Sequence, residues 1–194
     1  MNNRPPLTPD SLISLYNDAG VNRLTGLSTT TSTLHARDLV EGYFALLEAA
    51  PRRHDIGKVY FTGRTGVTSS GQYSNRREEH LAIALRNAYH GSTSLLLPDG
   101  RPLKLLDYQV PLKARRGDTG IGKIDLFGVI AGTISCLIEL KVPARGGGRS
   151  DTPLRAFLEA FTYCAVFESN IDDLAAEARE TFSYSLTQVR PTLM

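Results

Sequence analysis

Leu126 to Ile138 is an apolar-rich run of thirteen residues without a charged side chain, a length no uncharged run of this chain exceeds, bounded by Asp125 on one side and Glu139 on the other. A membrane-spanning helix needs about 20 apolar residues. This stretch is also interrupted by Gly128 and by Ala131-Gly132, so it reads as two buried strands folded back on one another, Lys123 to Ile130 and Ile134 to Val142. In the second strand, alternation puts Ile134, Cys136, Ile138 and Leu140 on one face and Ser135, Leu137, Glu139 and Lys141 on the other. Two charges one pleat apart at the end of an apolar strand are costly without partners. The hairpin therefore predicts a carboxylate pair, Asp125 and Glu139, aimed at a shared cation, with Lys141 beside it.

The flanking segments extend this to a helix, strand, strand, strand, helix order. A helix is expected over about Arg76 to Tyr89, stopped by Gly91, and a strand over Leu103 to Leu112 after the Pro98-Asp99-Gly100 turn. Glu78 lines up with Leu81, Leu85 and Ala88, whereas Glu79 lines up with Ala82, Ile83 and Arg86, so either acid could point inward. After the hairpin, Thr152-Pro153 opens a helix to about Glu168 with an apolar stripe of Leu154, Phe157, Leu158, Phe161, Cys164 and Ala165. Glu159 and Tyr163, one turn apart, fall beside the middle of that stripe and could face a cleft. A short acidic helix follows near Ile171 to Glu180, and a last strand is expected from Ser183 onward. Before all this, helices are expected from Pro9 to about Gly20 and from about Ala36 to Ala50, the second with Leu39, Val40, Tyr43, Phe44 and Leu47 at helical spacing. Residues 1–75 thus form a helical extension ending in a Gly/Ser/Thr loop, and residues 76–194 form the core.

Composition bounds the function. Hydrophobic residues are 41% and charged residues 22% of the 194, which excludes a disordered chain. Cys136 and Cys164 lie in apolar segments, favouring buried thiols in a reducing compartment and so a cytoplasmic location. The first ten residues lack an apolar core, so no secretory signal is expected, and no membrane partner. Gly66 to Gly71 has phosphate-loop spacing, but Gln72-Tyr73 stands where Lys and Ser/Thr belong, which argues against a nucleotide cofactor. Net charge is only +2, yet residues 52–116 hold 12 Lys and Arg against 5 acids, and residues 151–180 hold 7 acids against 2 bases. Such asymmetry suits a basic face toward phosphates. The candidate phosphate contacts are Arg76, Arg77, Arg115, Arg116, and Arg145 and Arg149 in the glycine-rich loop.

A helical acid at Glu78 or Glu79, a strand Asp125, a strand Glu139-x-Lys141 and a helix with Glu159-x-x-x-Tyr163 together resemble the PD-(D/E)XK nuclease superfamily, over about residues 76–168. Asp125 matches the first motif, Glu139 and Lys141 the second, and Glu159 with Tyr163 the Gln-x-x-x-Tyr motif of RecB-type nucleases. Ile124 stands in place of the name-giving proline and Glu159 in place of the glutamine. The resemblance implies an α/β, restriction-endonuclease-like core with a mixed central sheet flanked by helices. It also implies Mg²⁺-dependent hydrolysis of DNA, with Mn²⁺ as a substitute for Mg²⁺, and Asp125, Glu139 and Glu78 or Glu79 at the metal. Restriction, phage defence and repair are the implied settings, with a homodimer as one arrangement. The alternative is a nuclease-like DNA-binding or assembly module without turnover.

Overall fold

The computed structural model describes residues 9–17, 21, 36–63, 76–142 and 151–186. The glycines at 66–71, the loop carrying Arg145 and Arg149, and most of the expected final strand lie outside these residues. The chain is a mixed α/β fold with the element order α1 (Pro9–Asn17), α2 (Ala36–Ala49), α3 (Arg77–Ala88), β1 (Leu95–Leu96), β2 (Pro102–Pro111), β3 (Lys123–Ile130), β4 (Ile134–Ile138), α4 (Pro153–Ser169) and α5 (Ile171–Phe182). A single turn of 3-10 helix, His54–Ile56, follows α2.

The four strands lie in the order β1-β2-β3-β4. Every pairing is antiparallel, so the expected mixed sheet is not present among the described residues. The reason is connectivity. The strands are joined by connections of five, eleven and three residues, whereas a parallel neighbour would need a crossover of about a dozen or more returning to the sheet. After β4 the chain enters α4 and then α5, and residues 183–186, expected to begin a strand, are not in one.

The sheet has an apolar cluster on each face. One joins Leu105, Tyr108, Leu126, Cys136 and Ile138 to Ala82 and Ile83 of α3. The other joins Phe127, Val129 and Leu137 to Cys164 and Phe167 of α4, Leu174 of α5, Leu46 of α2 and Leu12 of α1. Residues before 76 therefore share the main core. Two helical stripes differ from expectation. On α2, Leu46 and Gly42 are buried, while Val40 and Phe44 are 50% and 58% exposed. On α3 the buried line is Ala82, Ile83 and Arg86, and Leu81 and Ala88 face solvent. In both helices the face that meets the sheet or α4 decides burial, because several apolar arcs fit the same periodicity.

Helix α4 starts as its sequence suggests. Thr152 is in extended conformation at the N-cap, its hydroxyl accepting from the Arg155 amide at 3.2 Å, and Pro153 begins the first turn. The same hydroxyl donates to the Val21 carbonyl at 2.7 Å. Cys136 and Cys164 are buried thiols not joined in a disulfide, and burial pushes the Cys136 thiol up to about 12.

Candidate active site

Strand β4 ends at Ile138, four residues short of the expected end at Val142. The physical cause is Asp125. Its carboxylate accepts from the Leu140 amide at 2.9 Å, taking a donor that a longer ladder would have used. Two residues on, the Val142 amide donates to Glu78 Oε1 at 3.3 Å. The segment 139–142 is thus pinned by side chains rather than by a neighbouring strand. Its alternation holds nonetheless: Leu140 packs with Ile138 on the α3 face. Glu139 and Lys141 turn the other way, and Lys141 meets Glu159 on α4.

Asp125 is itself held in place. Gln109 of β2 donates its side-chain N–H to Asp125 Oδ1 at 2.8 Å. Gln109 has a φ of +50°, a left-handed conformation uncommon outside glycine. Side-chain alternation breaks at this pair on both strands. Val110 and Ile124 belong to the α4-side cluster, although Tyr108 and Leu126, two residues away, belong to the α3-side cluster. Nothing in the sequence marks Gln109 for this position, since a glutamine with positive φ has no local signature.

Lys141 lies among carboxylates. Its Nζ is 2.9 Å from Glu159 Oε2, and 3.9 Å from both Glu139 Oε2 and Asp151 Oδ2. Asp151, just before α4, is a member of this cluster that sequence reasoning missed. Tyr163 completes it by donating its hydroxyl to Glu159 Oε1 at 3.1 Å. That hydroxyl rests against Gly122, where a Cβ would fall 2.5 Å away, so a glycine before β3 makes room for the tyrosine.

The electrostatics follow from burial. Loss of solvent, reinforced by the charges of Asp125 and Glu159, pushes the Glu139 carboxyl up to about 10, against the pull of Lys141. Burial also raises Asp125, opposed by the Leu140 amide and Lys141 and assisted by Glu78 and Glu159. For Lys141, burial works toward the neutral amine but is outweighed by Glu159, Glu139 and Glu78, and the net shift is upward. Glu139 Oε1 is buried with no hydrogen-bond partner among the described residues.

The rim therefore brings together Asp125, Glu139, Lys141, Glu78, Glu159 and Tyr163. It does not bring in Glu79, whose carboxylate pairs with Arg76 at 3.5 Å. Glu78 joins the rim through its contact with segment 139–142, its Oε1 accepting from the Val142 amide, although helical spacing aligns Glu79 rather than Glu78 with the buried Ala82, Ile83 and Arg86. Arg77 is half-buried at the start of α3, and Arg115 and Arg116 are exposed in the connection from β2 to β3, which enters β3 at this same rim. Arg145 and Arg149 lie outside the described residues.

Among the described residues, no group of three or more His, Cys, Asp or Glu side chains is arranged to hold a metal ion. The donor set still fits one kind of metal. Two adjacent buried carboxyls, one held neutral chiefly by burial and with an oxygen lacking a partner among the described residues, suit a hard divalent ion that takes one or two protein ligands and keeps several waters. The sequence matches no protein-family model, and neither curated proteins nor solved structures give a match to it.

Proposed function

We propose that this chain is a divalent-metal-dependent nuclease that hydrolyses DNA phosphodiesters, built on a restriction-endonuclease-like core. The observation that carries the proposal is the meeting of Asp125, Glu139 and Lys141 at one sheet rim, with a buried Glu139 oxygen unpartnered among the described residues. Asp125 and Glu139 are the residues that would hold Mg²⁺ or Mn²⁺, with Glu78 at the edge of the set. When bound, such an ion acidifies a water and draws charge from the phosphoryl oxygens. Gln109 and the Leu140 amide hold the Asp125 carboxylate in one orientation. Lys141 offers a cationic donor to the oxygen on which negative charge accumulates, and Glu159 with Tyr163 fixes where that donor sits. Arg77, at the start of α3, and Arg115 and Arg116, in the connection that leads into β3, are the candidate contacts to the DNA backbone. A cytoplasmic location and a homodimer that cuts both strands belong to the same proposal.

A second reading, a DNA-binding module without turnover, is favoured by the 2.9 Å pair between Lys141 and Glu159, which occupies the one ammonium of the cluster. Cleavage of plasmid and single-stranded DNA with and without Mg²⁺ separates the two. The nuclease reading expects metal-dependent nicking that Asp125→Ala and Lys141→Ala each abolish while leaving the circular dichroism spectrum unchanged. Activity that survives either substitution refutes it. Tight DNA binding with no cleavage in Mg²⁺ or Mn²⁺ selects the second reading.

A further inference from the structure

At the other end of β2 from the carboxylate rim, a pocket of about 350 Å³ opens between the end of α3, the first half of β2 and the end of α5. His90, Lys104, Leu106, Thr181, Ser183 and Tyr184 are among its walls. Arg86 lies beneath it, 2% exposed, its Nε donating to the carbonyl of the wall residue Leu106 at 3.4 Å. Its Nη2 is buried without a hydrogen-bond partner among the described residues.

Three basic side chains therefore converge here, and among the described residues none has an acid within ion-pair distance. The nearest acid along β2, Asp107, accepts from the amides of Thr62, Gly63 and Tyr108 and makes no ion pair with Arg86, Lys104 or His90 among the described residues. Lys104 donates to the Gly91 carbonyl, which fixes its ammonium but leaves its charge uncancelled. Burial, then the charge of Arg86 and also that of Lys104, lower the His90 pKa. A buried guanidinium with a spare donor is expensive to keep unless something negative arrives.

We infer that this pocket binds the phosphoryl group of a small phosphate monoester, with Arg86, Lys104 and His90 offsetting its charge and the hydroxyls of Thr181, Ser183 and Tyr184 within the same walls. A phosphoryl dianion matches the excess of donors better than a carboxylate, because it presents three strong acceptor oxygens and up to two charges. The ester substituent is favoured over free phosphate because the pocket is larger than phosphate needs, and Phe182 and Tyr184 give it an apolar wall. This inference is independent of any nuclease activity.

Calorimetric titration with phenyl phosphate, inorganic phosphate and phenol tests it. Phenyl phosphate is expected to bind saturably and tighter than inorganic phosphate, and phenol not at all. Lys104→Gln and His90→Gln, both at the pocket wall, should each weaken phenyl phosphate by about tenfold or more, the loss expected of a charge-assisted hydrogen bond. On binding, the His90 ring resonances should show its pKa moving up, because an anion reverses the repulsion from Arg86 and Lys104. No saturable binding of either phosphate up to about 10 mM, a range covering even very weak sites, overturns the inference. So does affinity undiminished in both variants. Equal affinity for inorganic and phenyl phosphate overturns the ester assignment.

Discussion

Glu139 is a carboxyl that the fold holds in its neutral form far above the usual range. Its pKa is pushed from 4.5 up to about 10, first by burial and then by Asp125 and Glu159. Between those two values the folded chain binds more protons than the unfolded one, so the contribution of Glu139 to stability is full below about pH 4.5 and is lost as pH rises toward 10. Glu139→Gln keeps the shape and removes the ionisation. Without divalent ions at pH 8 it should be more stable than the parent by about 1–2 kcal/mol, the usual gain when a functional site is relieved of its strain. Thermal melts of both proteins from pH 5 to 9 check this, and the parent's decline should be shallower in the variant. Mg²⁺ should restore the parent but not the variant, because it favours the ionised carboxylate.

At the scale of elements, the β3–β4 hairpin carries a local conflict. Ala131 and Gly132 both have positive φ, +50° and +82°, and the Thr133 amide closes the turn onto the Ile130 carbonyl at 3.2 Å. That pattern belongs to turns in which glycine or asparagine is preferred at the first central position. Ala131→Gly should therefore stabilise the protein by about 0.5–1 kcal/mol, read from denaturant midpoints. The hairpin was also the most legible part of the sequence. β3 was readable to the residue, and Asp125, Glu139 and Lys141 were visible as charges placed against an apolar alternation. The end of β4 was not, because it depends on the Asp125 carboxylate capturing the Leu140 amide, an event between residues 15 apart. Gln109 and Asp151 were hidden for the same reason. Their roles come from strand register and helix docking, and neither belongs to a pattern of its own. The choice between Glu78 and Glu79 needed the position of Val142, and the exposed faces of α2 needed the partner against which Leu46 packs.

Over the whole molecule, the segment after α2 is tied to α5 by one buried acid. Glu177 accepts from the amides of Tyr60 and Phe61, at 2.8 and 2.9 Å, and contacts the His54 ring, whose other nitrogen lies 3.2 Å from Asp173. Glu177→Ala would leave two buried amides unsatisfied and should cost about 2–4 kcal/mol, measured by chemical denaturation. The hydrogen bond to Glu177 raises the His54 pKa, with burial opposing and Asp173 assisting. This tie is therefore at full strength below the unfolded histidine value of 6.5 and weakens as pH rises through the folded value. In His54→Gln that part of the pH dependence should vanish, while the part due to Glu139 persists. The carboxylate rim depends on long-range assembly in a different way. Lys141 gains its closest counter-charge only from Glu159, and Glu159 its phenolic donor only from Tyr163, both on a helix translated after the lysine. A nascent chain still lacking that helix would leave the ammonium to water and the rim unfinished, so whatever chemistry it performs must wait until the ribosome has moved past it.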